Sequence, residues 1–164
     1  MIGDGRRYTP SVKRRKPLLI SVVCGALASA GVPGVGAAEI TVADPGGEPV
    51  TWSSWVEEHA PVAVILWASW TPGARETIDR LPEMAAAARS RNLDLVVVSL
   101  QEDIDEARRI LGSVKVTWLH DRYGNLLKHY RVVRIPALLV IDRNGEASAR
   151  LDPIPESINA WSNE

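Results

Sequence analysis

The chain has 164 residues, 46% hydrophobic and 24% charged, which is enough for one folded domain with a real core plus an appendage. Its net charge of −1 hides a division: six basic residues and one acid lie in the first 38, leaving 13 basic and 19 acidic residues and a net −6 beyond them. So acidic a folded part argues against nucleic acid or an anionic membrane surface as its partner, and a single cysteine, Cys24, excludes an intramolecular disulfide.

Residues 1–38 read as an address. Arg6, Arg7 and Lys13 to Lys16 precede the uncharged run Pro17 to Ala38, the order of a secretory signal, and the small residues Gly36 and Ala38 allow cleavage before Glu39. The alternative is retention as a membrane anchor, which the length of the run permits but Pro33 and the glycines weaken. Either way residues 39–164 form a single domain outside the cytoplasm, touching a membrane only through residues 1–38 if these are uncleaved.

The domain is expected to open with a short strand, Ile40 to Val42, and the turn Asp44-Pro45-Gly46-Gly47. A helix over Ser53 to His59 follows, with Trp52 and Trp55 on its apolar side. Val62 to Ala68 is continuous and rich in β-branched and aromatic residues, which suits a strand buried on both faces. Polarity then changes abruptly at Ser69. Thr71 is placed to cap a helix with its hydroxyl, and Pro72 fits the first helical position because no N–H is needed there. The helix is expected to run from Pro72 to Arg89 with a kink at Pro82. A second buried strand, Leu93 to Leu100, and a helix, Ile104 to Leu111, ended by Gly112, complete two alternating units, the pattern of parallel strands joined by crossover helices.

The second half predicts a strand over Val114 to His120, a turn from Asp121 to Asn125 and a short helix from Leu126 to Tyr130. Ile135 to Asp142 reads as a strand, and Arg143-Asn144-Gly145 as a tight turn into a strand over Ala147 to Leu151, because asparagine and glycine tolerate positive φ. Pro155 to Trp161 is a final helix. His59, His120 and His129 lack the spacing of metal ligands and are expected to be solvated or capping; no metal or cofactor is called for.

Taken together, separated stretches resemble the TlpA/ResA-like branch of the thioredoxin superfamily. Trp67-Ala68-Ser69-Trp70 is similar to that branch's strand end, Thr71 and Ala74 fall where its two cysteines would stand, and Arg75 matches the basic residue that often follows. Asp121 to Gly124 with Tyr130 resembles its insert region; Ile135-Pro136, Ile141-Asp142 and Gly145 resemble its cis-proline strand and hairpin. The resemblance implies an α/β, thioredoxin-like fold, a central mixed sheet flanked by helices, and an activity of thiol-disulfide exchange. Two departures bear on that activity. Thr77 stands where a carboxylate is common, and both cysteines are replaced. Exchange needs one thiolate to attack and a second to resolve the mixed disulfide, so the degenerate motif Thr71-Pro72-Gly73-Ala74 provides no catalytic residue for it.

What remains at that position is a surface. Trp70, Thr71, Ile135 and Pro136 are the expected binding residues for a protein or peptide partner, with an Ile135–Pro136 cis bond implied by the resemblance. Trp52, Trp55 or Trp118 would extend it if exposed; each taken singly suits the core better. Two other readings stand beside this one: a transferase-like enzyme that binds an external thiol such as glutathione at the Thr71 hydroxyl, and a structural subunit of an envelope complex.

Overall fold

The computed structural model describes residues 39–162, so the signal or anchor assigned to residues 1–38, with Cys24, lies outside the described residues. One seven-stranded sheet organises the domain. Its strands, in chain order, are β1 (Thr41–Ala43), β2 (Pro49–Thr51), β3 (Val62–Trp67), β4 (Asp94–Leu100), β5 (Thr117–Asp121), β6 (Ala137–Ile141) and β7 (Ala147–Leu151), arranged in space as β2-β1-β5-β4-β3-β6-β7. β3, β4 and β5 are parallel; β1 and β2 close one side and β6 and β7 the other, all antiparallel to their neighbours. The six helices are α1 (Trp52–His59), α2 (Ala74–Asp79), α3 (Leu81–Ser90), α4 (Ile104–Leu111), α5 (Asn125–His129) and α6 (Pro155–Ala160). The expected α/β architecture with a mixed central sheet is thus present. Among the described residues, no helix is long and apolar enough to cross a membrane.

β3 shows why its sequence is an unbroken apolar run. Ala63, Ile65 and Trp67 point into a core shared with Leu81 and Met84 of α3, Leu111 of α4 and Ile158 of α6. Val62, Val64 and Leu66 point the other way, into a core with Trp52, Trp55 and Val56 of α1 and Leu126 of α5. Alternate side chains therefore serve two apolar layers, and neither face is left for polar residues. Six fully covered positions in a row make β3 the rigid spine from which the following turn projects.

The structure changes several expectations. β2 is an addition: Pro49–Thr51 pairs antiparallel with β1, from Thr41 opposite Thr51 to Ala43 opposite Pro49. The long helix predicted from Pro72 is two helices separated at Arg80, and Pro82 occupies the second position of α3. A first-turn N–H has no intrahelical acceptor, so the missing proline donor costs nothing there and a break replaces the kink. Trp52, Trp55 and Trp118 are buried, which removes them from any recognition surface. Trp52 and Trp55 stack at 5.4 Å, and Trp52 donates from Nε1 to the Tyr130 hydroxyl at 2.8 Å. That hydroxyl in turn donates to the Gly145 carbonyl at 3.0 Å, tying α1 to the β6–β7 turn. The predicted hairpin is there, with Gly145 at φ +80.

Candidate functional site

The register Leu66 opposite Ala137 sets the carboxyl end of β3 beside the amino end of β6. The turn after β3 and the loop before β6 therefore share one end of the sheet. In the turn, the Thr71 N–H and its hydroxyl both donate to the Ala68 carbonyl, at 3.2 and 2.8 Å, and the Ala74 N–H donates to the Thr71 carbonyl at 3.1 Å. Gly73, at φ +80 and with nothing within 4 Å of where a Cβ would sit, reverses the chain into α2. Here glycine serves the backbone conformation rather than a close approach.

This geometry corrects two local expectations. Thr71 does not cap α2: its hydroxyl points back to Ala68, and Gly73 occupies the capping position without a side-chain bond. Pro72 stands in the turn, two residues ahead of the first helical residue, because the left-handed Gly73 postpones the helix. Both motif positions face inward; Thr71 is 8% exposed and Ala74 4%. The core holds the turn in place, since Trp67 donates from Nε1 to the Ala74 carbonyl at 2.9 Å.

The outward face is different. Trp70 is 61% exposed, one of only three large hydrophobic side chains that are, among the described residues. Pro72, Gly73 and Arg75 are exposed with it, while Ile135 and Pro136 are half-buried. The Ile135–Pro136 bond is cis, as the resemblance implies; Ala60–Pro61, which the sequence reading did not single out, is cis too. Among the described residues, no backbone hydrogen bond outside the helices and strands engages Val133, Arg134 or Ile135. That leaves their donors and acceptors open at the end of the sheet where Trp70 also stands.

Behind the turn lies a polar cluster that sequence reading missed. Glu102, in the loop after β4, accepts the Ser69 N–H at 3.1 Å and the Ser69 hydroxyl at 2.5 Å on one oxygen, and the Ser99 hydroxyl on the other. Ser99 pairs across the sheet with His120, which was expected to be solvated or capping and is instead 5% exposed. Burial holds the His120 imidazole below its ordinary pKa of 6.5, outweighing Glu102, Asp121 and Asp103, which favour its charged form; Arg122 acts with burial. The other two histidines match expectation better: His59 hydrogen-bonds the Trp55 carbonyl at 2.8 Å at the end of α1, and His129 is exposed in the last turn of α5. Asp121, expected in the turn, is the last residue of β5, and its carboxylate orders the turn that follows by accepting from the N–H groups of Tyr123 and Leu126. Among the described residues, no group of three or more His, Cys, Asp or Glu side chains is disposed to hold a metal ion.

Comparison with known proteins places this arrangement. The model of the AhpC/TSA family matches residues 33–149. Sporulation thiol-disulfide oxidoreductase A of Bacillus subtilis is 24% identical over 106 residues, 60% of this chain and 64% of that protein, so the chain spans less than two thirds of that relative's length. Among solved structures, StoA from Bacillus subtilis superposes with a TM-score of 0.57 at 19% identity, over 77% of this chain and 97% of the other. A secreted Mycobacterium tuberculosis disulfide oxidoreductase homologous to E. coli DsbE gives 0.54 at 18% identity, over 70% and 83%. At these identities the two structures establish a shared thioredoxin-like fold.

Proposed function

Because the chain belongs to the AhpC/TSA family of thioredoxin-like proteins, we propose that it keeps the fold's substrate-facing surface for binding and has lost the exchange reaction. The observation that carries this reading is the turn itself. The two motif positions hold Thr71 and Ala74, both buried and neither a thiol, while Trp70 beside them is 61% exposed. An extended segment of a partner protein pairs with the open backbone groups of residues 133–135 and packs an apolar side chain on Trp70 and Pro136. The domain acts outside the cytoplasm. The basic-then-apolar order of residues 1–38 supports that location, and so does the secreted relative.

Two measurements test this. Reduction of insulin by dithiothreitol should run at the uncatalysed rate with the protein present; any catalysed turnover overturns the loss of exchange. A photocrosslinker at position 70 should give a discrete adduct in envelope fractions that disappears with Pro136→Ala, whereas adducts arising only from α4 would mark a scaffold contact. Sequencing of the purified N-terminus shows whether Glu39 is first. A second reading, an external thiol bound at Thr71, meets an obstacle in the structure: that hydroxyl already donates to Ala68 and is buried. Calorimetry with glutathione decides it, since binding heat that vanishes in Thr71→Val would restore the enzyme reading.

A further inference from the structure

The three large hydrophobic side chains that stand exposed among the described residues, Trp70, Tyr123 and Val133, share one end of the sheet. β3, β4 and β5 run parallel and β6 runs against them, so the segments after β3 and β5 and before β6 all emerge there. Single apolar residues scattered over a surface need no explanation, but gathered at one end they mark a contact surface. From β5 through β4 and β3 to β6 is three strand spacings, about 14 Å, which an extended segment covers in about four to five residues.

Charge is distributed unevenly over that end. Residues 39–164 carry 13 basic and 19 acidic side chains, yet the turn from Ala68 to Arg75 and the approach to β6 from Tyr130 to Pro136 contain Arg75, Arg131 and Arg134 and no acid. Arg131 and Arg134 are exposed, and among the described residues neither forms an ion pair. Arg75 meets Asp79 at 3.9 Å with both side chains largely exposed, a contact that holds it weakly. Arg150 of β7 reaches the same segment, donating to the Tyr130 carbonyl at 2.5 Å and the Arg131 carbonyl at 3.4 Å, and adds a fourth positive charge.

The carboxylates at this end lie to either side of that stretch. Glu102 and Asp103 follow β4, where they line a cleft with Arg122 and Glu39, and Asp152 follows β7. Glu102 has its oxygens occupied by Ser69 and Ser99. The excess of positive charge therefore belongs to the part of the surface between Trp70 and Val133. Given the binding role proposed above, on which this rests, we infer that the partner segment is acidic, setting apolar side chains on Trp70 and Val133 and its Asp or Glu carboxylates against Arg131, Arg134 and Arg75. The open backbone groups of residues 133–135 hold it extended. A basic segment meets the same arginines as like charges. The domain as a whole, with six more acids than bases, attracts the opposite kind of peptide, so a preference for acid is a property of this face alone.

Three labelled peptides of one length separate these cases: Asp-Glu-Leu-Val-Leu-Glu-Asp, Gln-Ser-Leu-Val-Leu-Ser-Gln and Lys-Arg-Leu-Val-Leu-Arg-Lys, each titrated against the full-length chain by fluorescence anisotropy. The acidic peptide should bind at least about tenfold more tightly than the neutral one, and the basic peptide most weakly. Raising the salt from about 50 mM to about 500 mM should bring the acidic peptide towards the neutral one. Arg134→Gln and Arg131→Gln should each weaken the acidic peptide about threefold and leave the neutral one unchanged, while Arg91→Gln, at the other end of the sheet, should change neither. Trp70→Ala should weaken both. Neutral or basic peptide binding as tightly as the acidic one, still dependent on Trp70, overturns the acidic preference and leaves the binding surface standing. An acidic preference that Arg131→Gln and Arg134→Gln do not reduce overturns it as well. Absence of Trp70-dependent binding by all three peptides overturns the surface along with its preference.

Discussion

Glu102 holds Ser69 by two hydrogen bonds, one to the backbone N–H and one to the hydroxyl, across 33 residues of sequence. With Ser99 on its other oxygen, this carboxylate fastens the first residue of the turn to the end of the neighbouring strand. Removing it strands three donors, two on half-buried Ser69 and one on fully buried Ser99. Glu102→Ala should therefore cost about 2–3 kcal/mol of stability and Glu102→Gln about 1 kcal/mol, because the amide oxygen still accepts. Urea denaturation of the two variants checks the order and the size.

Returning the thiols tests whether the turn has lost only two side chains. The Thr71→Cys, Ala74→Cys double variant should reduce insulin above the uncatalysed rate, while each single variant should not, since attack and resolution need both sulfurs. Residue 71 follows the exposed Trp70, and the Trp67 bond to the Ala74 carbonyl is a backbone contact that the substitution leaves in place.

Burial of His120 gives stability a defined dependence on pH. Its pKa is lowered in the folded chain, so between the ordinary value of 6.5 and the lower folded value the unfolded state binds more protons. Stability then rises with pH through that window. The contribution is complete above about pH 6.5 and is lost as the pH falls through the window towards the folded pKa. Urea midpoints from pH 5 to 8 should show this slope, and His120→Gln should flatten it.

Tyr130 supports the domain through a chain of donors: Trp52 to its hydroxyl, and its hydroxyl to Gly145. Tyr130→Phe keeps the ring in the core but leaves the indole N–H and the carbonyl without their partner, at a cost of about 1–2 kcal/mol in a urea titration. Burial pushes the phenol's pKa up, against the Trp52 hydrogen bond, so alkali should disrupt this contact only at high pH.

Much of this was legible along the chain. The apolar run of β3 announced a strand covered on both sides, and Asn144-Gly145 announced the hairpin, because each is a local pattern with a local cause. Pro49–Thr51 was not, since a three-residue strand abutting a helix shows no alternation to detect. Residues 71–74 could be located by position but not oriented: which way the Thr71 hydroxyl turns depends on Gly73 being left-handed. The cluster of Ser69, Ser99, Glu102 and His120 was invisible for another reason. Its members come from three strand ends and a loop and meet only once β3, β4 and β5 are laid side by side. The one hint was Ser99 interrupting a run of valines, and a lone serine in a strand has many explanations.

β2 has a further consequence. It is the outermost strand on its side of the sheet, three residues long, and it begins with Pro49, which has no N–H to give to an incoming strand. Such a border is too short and too poor in donors to template growth by another chain, so fibril-like stacking of copies has no foothold there.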